Sequence, residues 1–347
     1  MTPIGASEAT GAYSASKRDA RLAYAPRMWM KMIGALALVL VAASACPDHG
    51  PPPLKEELRT PAPIRPESNG EVAFLLGSAG ILGPSPLYVV GPSTTARRIG
   101  IPEDLTDFAW SPDGSTIAYV VSASEFGGGS IDVVDADGSG NRTLVRSSTP
   151  LSGISWSPDG RWIVYGQGIA MAPKADNRYR LFARPAGGGA PLMLTHGPDE
   201  GLLPAWSPEG TRIAYLSLSP PFQPHTAASL TVINADGSGA STVLRSSGLH
   251  MSGPAWSPDG RWLVVVEGQD LRLVRLNGSG SHVIYRCRGD CTSRAPRWSP
   301  DGSQIALTVY HGGHWRIVTI TPTGKRVPVP AGLLPRACCL AWQPVPR

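Results

Sequence analysis

Trp110-Ser111-Pro112-Asp113-Gly114 decides the fold, because the same five residues return at Trp156–Gly160, Trp256–Gly260 and Trp298–Gly302. A variant, Trp-Ser-Pro-Glu-Gly, stands at Trp206–Gly210, and a worn copy, Trp342-Gln343-Pro344, lies near the C-terminus. The intervals from Trp to Trp are 46, 50, 50, 42 and 44 residues. Each complete copy leads into an apolar run such as Ile117–Val120, Trp162–Tyr165 or Ile213–Leu216. Further on comes a strand-like run ending in an Asp-Gly or Asn-Gly pair: Ile131–Gly138, Leu230–Gly237 and Leu271–Gly278.

Proline fixes φ and glycine accepts positive φ, so Pro-Asp-Gly after a Trp-bearing strand forces a tight reversal, and the second Gly pair makes another. Two hairpin turns in ~45 residues give four antiparallel strands per repeat, the content of one propeller blade. The tryptophan is expected to wedge between neighbouring blades, where a large flat side chain buries much apolar area. Strand-like sequence begins at Val72-Ala73-Phe74-Leu75, before any Trp copy, while nothing follows the copy at Trp342. The predicted fold is therefore an all-β, six-bladed β-propeller of four-stranded antiparallel blades. Residues 71–100 supply the outer strands of one blade and residues 339–345 its inner strand, so the C-terminal strand completes the N-terminal blade and removes exposed sheet edges.

These repeats, with Ala136–Gly140 and Ala235–Gly239 reading Ala-Asp-Gly-Ser-Gly, resemble the TolB-like, WD40-like propeller repeats over about residues 70–345. TolB carries a separate α/β domain before its propeller; here that place is held by a Pro-rich stretch. The resemblance implies the propeller fold, and the absence of that domain argues against a literal role in the Tol-Pal envelope system.

Gly 40 and Pro 35 make up over a fifth of the chain, as many short strands and tight turns require. The formal charge of +5 looks basic, but residues 1–45 hold five basic and two acidic side chains, leaving a balance of only +2 for the rest. Most of the basic surplus is thus a targeting signal, and no nucleic-acid partner is expected. From Arg27 a short positive region leads into Met32–Ala43 without a charge, then Ala43-Ser44-Ala45-Cys46. The apolar run is shorter than the ~20 residues that span a bilayer, so residues 1–45 are predicted to be a cleaved signal segment, with translation starting at Met28 or Met30. Small residues directly before Cys46 resemble the bacterial lipobox, with Ala43 in place of its commoner Leu, and imply that Cys46 carries lipid. Residues 46–70 form the tether: positions 47–70 contain seven prolines, and at ~3.1 Å per residue in polyproline geometry they reach ~70 Å. The propeller is assigned to 71–347. The expected location is exported and lipid-anchored, on the periplasmic or outer-surface side of the envelope.

No Gly-x-Ser-x-Gly elbow occurs, and no residues remain for the α/β domain that a prolyl oligopeptidase-like enzyme needs. Gly127–Gly129 and Gly187–Gly189 lack the Lys and following helix of a phosphate loop. No catalytic residue and no cofactor is assigned. Loops between second and third strands should share one face of the ring with the blade-to-blade connections. His196, His225, His250, His311 and His314 map there, as do the variable insertions 122–130, 166–178 and 217–228. Arg178, Tyr179, Asp199, Glu200 and Phe222 are candidate contacts on this face. No metal site is assigned, although related propellers such as oligogalacturonate lyases hold a divalent metal with His ligands, and His311-Gly-Gly-His314 is the pair to watch. Cys287, Cys291, Cys338 and Cys339 are disulfide candidates, pairing Cys287 with Cys291 or one of these with Cys338 or Cys339; zinc is the alternative. The Arg288-Gly289-Asp290 tripeptide between the first two is expected to be coincidental. The reading is a monomeric, non-enzymatic propeller, held to the membrane through Cys46, that binds a protein or peptide on its loop face. The alternatives are a metal-dependent carbohydrate lyase using the same face, or a structural spacer.

Overall fold

In the computed structural model, residues 70–344 are described apart from 77–84, 92–94, 123–127, 170–177, 198–199, 219–227, 247–250, 277–279, 289–290, 312–313, 331–332 and 334–336. They form six four-stranded antiparallel sheets. Blade 1 runs, from the axis outward, Ala337–Trp342, Val72–Leu76, Leu87–Val90 and Arg97–Arg98. The inner strands of blades 2 to 6 are Leu105–Trp110, Leu151–Trp156, Glu200–Trp206, Met251–Trp256 and Cys291–Trp298. Each inner strand packs on the next, and that of blade 1 touches both blade 6 and blade 2, so the sheets form a ring.

The tryptophans act as wedges. Trp110, Trp156, Trp206, Trp256 and Trp342 are all buried. Two of them also tie blades together: the Trp156 indole N–H donates to the Ala109 carbonyl (3.3 Å) and that of Trp256 to the Ala205 carbonyl (3.0 Å), each on the preceding blade.

The serine and aspartate of the repeat build the turn. Ser111 Oγ accepts the Thr116 N–H (2.9 Å), Asp113 accepts the Ser115 N–H (3.0 Å), and the Gly114 N–H returns to the Ser111 carbonyl (2.9 Å). Ser157 and Asp159 repeat the pattern onto Trp162 and Arg161. Gly114 and Gly160 both sit at φ +69, a conformation costly for any residue with a Cβ.

The worn copy at Trp342 completes this turn from two ends of the chain. Ser111 N–H donates to the Thr116 carbonyl; Gln343 N–H donates instead to the Glu71 carbonyl (2.7 Å). Where Ser111 Oγ accepts the Thr116 N–H, Gln343 Oε1 accepts the Glu71 N–H (3.0 Å). The longer side chain also lets Nε2 donate to the Gly114 carbonyl of blade 2 (2.8 Å). Gln343 is thus the serine of a split repeat, lengthened to clasp the N-terminal strand and the next blade. Gln343→Ala is expected to lower unfolding free energy by about 2 kcal/mol, two net hydrogen bonds at about 1 kcal/mol each. Urea denaturation gives the value; no change would deny the clasp a role.

Every inner strand also breaks register just before its tryptophan, between Leu105 and Asp107, Ser152 and Ile154, Leu202 and Ala205, Ser252 and Ala255, Arg294 and Arg297, and opposite Ala73 to Leu75 in blade 1. These are bulges, which bend and twist a strand locally. The residue three before the tryptophan takes positive φ in four blades: Gly153 (+64), Leu203 (+52), Ala295 (+48) and Cys339 (+52). A Cβ on Gly153 would lie 2.7 Å from Leu203 Cα and 3.0 Å from Pro204 Cδ. Gly153→Ala is therefore expected to cost about 2–4 kcal/mol, from backbone strain and overpacking together. At the matching position of blade 5, a Cβ on Gly253 meets only Leu203 side-chain carbons, at 3.5 Å, and Gly253→Ala should cost about 1 kcal/mol or less. Equal losses in denaturant melts of the two variants would contradict the bulge geometry.

Candidate binding face

The antiparallel meander sorts the connections onto two faces. The Trp-Ser-Pro-Asp-Gly turns and the third-to-outer turns lie on one, called here the turn face. The second-to-third loops and the blade-to-blade connections lie on the other, the loop face. The strands reach further into the loops than the sequence suggests. In blade 3, Trp162–Ile169 pairs with Arg178–Pro185 through Ile169 opposite Arg178, so the loop is 170–177. In blade 4, Leu218 stands opposite Ala228, leaving 219–227. In blade 2, Ser122 stands opposite Gly129. Cross-strand hydrogen bonding continues wherever partners remain in register, and the flanking residues join the sheet.

His196 is exposed in the connection from blade 3 to blade 4. Arg178 opens the third strand of blade 3, half-buried, with Tyr179 buried beside it. Glu200 opens the inner strand of blade 4 opposite Leu218. His311, which is exposed, and His314 stand opposite each other at the tip of the hairpin of blade 6, and Cys291 pairs with His311 across the neighbouring strand. The ring order puts His196 about half a turn from the histidine pair, so the two are not gathered. Asp199, Phe222, His225 and His250 lie outside the described residues, as do Cys46 and residues 1–69. Among the described residues no three His, Cys, Asp or Glu side chains are grouped to hold a metal ion, and no helix is long and apolar enough to cross a membrane.

Cys287 is buried in the core between blades 5 and 6 and is disulfide-bonded. Cys339, a candidate for pairing in the sequence, is instead a half-buried thiol. Its bulge places it on the inner strand of blade 1, packed with the apolar residues shared by blades 1 and 2. Cys338 stands opposite Leu75 in the closing strand.

A buried polar hub near the ring's seam has no counterpart among the sequence candidates. Asp107, on the inner strand of blade 2, is 1% exposed. Its Oδ1 accepts the Phe108 N–H (2.6 Å) and its Oδ2 the Ile154 N–H of blade 3 (2.8 Å). The buried guanidinium of Arg297 from blade 6 and the Cys339 thiol of blade 1 act on it electrostatically. Burial pushes the carboxyl well above its ordinary range, against the Arg297 charge and the two N–H groups; burial likewise draws Arg297 down to about 10. Four consecutive blades thus converge on one carboxylate. The same device recurs in neutral form: Ser155 Oγ of blade 3 accepts the Trp206 N–H (3.0 Å), and Thr308 Oγ1 of blade 6 accepts the Cys339 N–H (2.9 Å). At these three bulges a backbone donor is taken up by a side chain of the preceding blade.

Six blades, each with an inner strand ending at Trp-Ser-Pro-Asp-Gly or a variant of it and closed into a ring by the C-terminal strand, define a repeat propeller whose variable loops share one face. It is a TolB-like propeller. A TolB homolog of Chlorobium luteolum is 31% identical over 151 residues, 43% of this chain and 33% of that protein. An uncharacterized protein of Agrobacterium fabrum is 28% identical over 218 residues, 59% of this chain and 69% of that protein. Among solved structures, TolB from Acinetobacter baumannii matches with a TM-score of 0.62 at 15% identity, over 79% of this chain and 66% of that one. The match spans about a third of the Chlorobium protein's length. No family model matches the chain.

Proposed function

We propose that this chain is a non-catalytic, monomeric propeller of the cell envelope, lipid-anchored at Cys46, that binds a protein or peptide partner through its loop face. The carrying observation is the contrast between the two faces. The turn face repeats one hydrogen-bonded turn with little variation, whereas the loop face carries connections of unequal length in blades 2, 3 and 4 on rigid, paired strands. Loops of that kind on a fixed scaffold are where recognition usually resides. The likeness to TolB propellers supports a binding role in the envelope, and the polar hub, sealed inside the ring, serves packing.

The test is a crosslinking pull-down from envelopes with the native chain and a variant whose loops 170–177 and 219–227 are shortened. A specific protein partner lost in the variant is the expected result. A partner retained by the variant would move the site off these loops; no partner with either chain, together with stoichiometric divalent metal in the purified protein, would favour the carbohydrate lyase reading.

A further inference from the structure

The place where the described body takes up the chain fixes where the preceding segment leaves the ring. Gly70 sits against Gln343, whose Oε1 would lie 2.9 Å from a Cβ there. The next residue, Glu71, exchanges two backbone-directed hydrogen bonds with Gln343, and Gln343 in turn holds the Gly114 carbonyl in the first turn of blade 2. The Glu71 carboxylate lies 3.6 Å from Arg97, which also donates to the Ala136 carbonyl in the third-to-outer turn of that blade. Gly70 and Glu71 therefore occupy the position of a Trp-Ser-Pro-Asp-Gly turn, and the chain departs from the turn face. The loop face lies one strand away: the second strand of blade 2 has seven residues, or ~23 Å at ~3.3 Å per residue.

The turn face carries charges of both signs. On this face Arg161 pairs with Asp159, Arg261 with Asp259 and the half-buried Arg212 with Glu209, while Arg142, Arg275, Lys325 and Arg326 are exposed there as well. Asp137 and Asp236 stand fully or almost fully exposed there, each held below its ordinary range by hydrogen bonds from Ser139 and Ser238, so both remain ionised.

We infer that the chain joins the propeller at its turn face, so that a short or taut tether from Cys46 presents the turn face to the bilayer and leaves the loop face to a protein approaching from the membrane-distal side. This orientation rests on the anchoring reading above, and the experiment separates the two. The full-length chain, purified from envelopes, is reconstituted in phosphatidylcholine–phosphatidylglycerol vesicles containing spin-labelled lipid. A fluorescent amino acid is placed singly at Ser115 or Ser303 on the turn face, or at Ser148 or His196 on the loop face, all exposed. Deleting residues 51–65 leaves a nine-residue tether, ~28 Å at ~3.1 Å per residue. With that short tether, quenching at Ser115 and Ser303 should exceed that at Ser148 and His196 severalfold, and full-length C46S should not sediment with the vesicles. Lipidated chain with equal or reversed quenching overturns the orientation while leaving the anchor intact. An N-terminal peptide whose mass shows no lipid on Cys46 overturns the anchoring reading, and the orientation with it.

Discussion

Deleting residues 337–347 should abolish the cooperative unfolding transition of the purified chain. The strand Ala337–Trp342 supplies the inner edge of blade 1, pairing with Val72–Leu76 and burying Leu340, Ala341 and Trp342 against blades 1, 2 and 6. Burying a large apolar side chain contributes about 1.5–3 kcal/mol. The loss of Trp342 and Leu340, together with the exposure of Phe74 and Val72, therefore reaches the ~5 kcal/mol at which many domains cease to be stable. Losing the inner strand also uncovers the paired edge of Val72–Leu76, a template for aggregation. Thermal melting followed by near-ultraviolet circular dichroism reads the outcome, because most tryptophans sit in the seams between blades. Trp342→Ala is the graded form, with an expected loss of about 3–5 kcal/mol. Trp298→Ala should cost less, since Trp298 is only half-buried and its indole N–H has no partner among the described residues. A deletion variant that melts like the full chain would mean that blades 2 to 6 hold the ring without closure.

That closure was legible because the repeat is strict: the strand at Val72–Leu76 precedes the first Trp copy, the copy at Trp342 follows the last complete one, and the two pair in one blade. The turn chemistry was legible for the same reason, since Ser, Pro, Asp and Gly each have one physical task in the reversal. The clasp at Gln343 was not. In the sequence it reads as a decayed copy, because the bonds that explain it come from Glu71, 272 residues away. The bulges were hidden too: Leu203, Ala295 and Cys339 are ordinary strand residues, and only Gly153 among the positive-φ four advertises its conformation. Asp107 did leave a signal. In Leu105-Thr-Asp-Phe-Ala-Trp110 an acid interrupts an inner strand that is otherwise almost wholly apolar, and a buried carboxylate always requires partners. Arg297, in the same register region four blades on, is its complement. Of the loop face, the sequence located the connections correctly but overstated their length, because it cannot show how far cross-strand pairing continues.

Asp107 carries the second large effect. Asp107→Ala leaves the Phe108 and Ile154 N–H groups without their acceptor and Arg297 buried without its counter-charge, a change expected to cost about 3–5 kcal/mol. Arg297→Met alone should cost a similar amount, since it strands the carboxylate instead. The double variant Asp107→Ala with Arg297→Met should then lose clearly less than the two single losses combined, with a coupling of about 1 kcal/mol or more. Stability against pH tests the hub independently of truncation. Burial raises the Asp107 carboxyl above its ordinary value in the fold, against Arg297 and the backbone donors, so the native state binds more protons than the unfolded chain between the two pKa values. The unfolding free energy must then decrease as pH rises from about 3.9, the unfolded value, to the higher folded one, and level off above it. Asp113 and Asp301 act in the opposite sense: burial raises them, but serine and backbone hydrogen bonds outweigh it and hold them below 3.8, so their contribution is lost as pH falls. Urea titrations of native chain and Asp107→Asn across this range, taken as a difference, cancel those two groups and leave the Asp107 slope. If the difference is flat with pH, Asp107 titrates alike in the folded and unfolded chain, and the four blades meet at an ordinary ion pair instead of a carboxylate that the ring itself has desolvated.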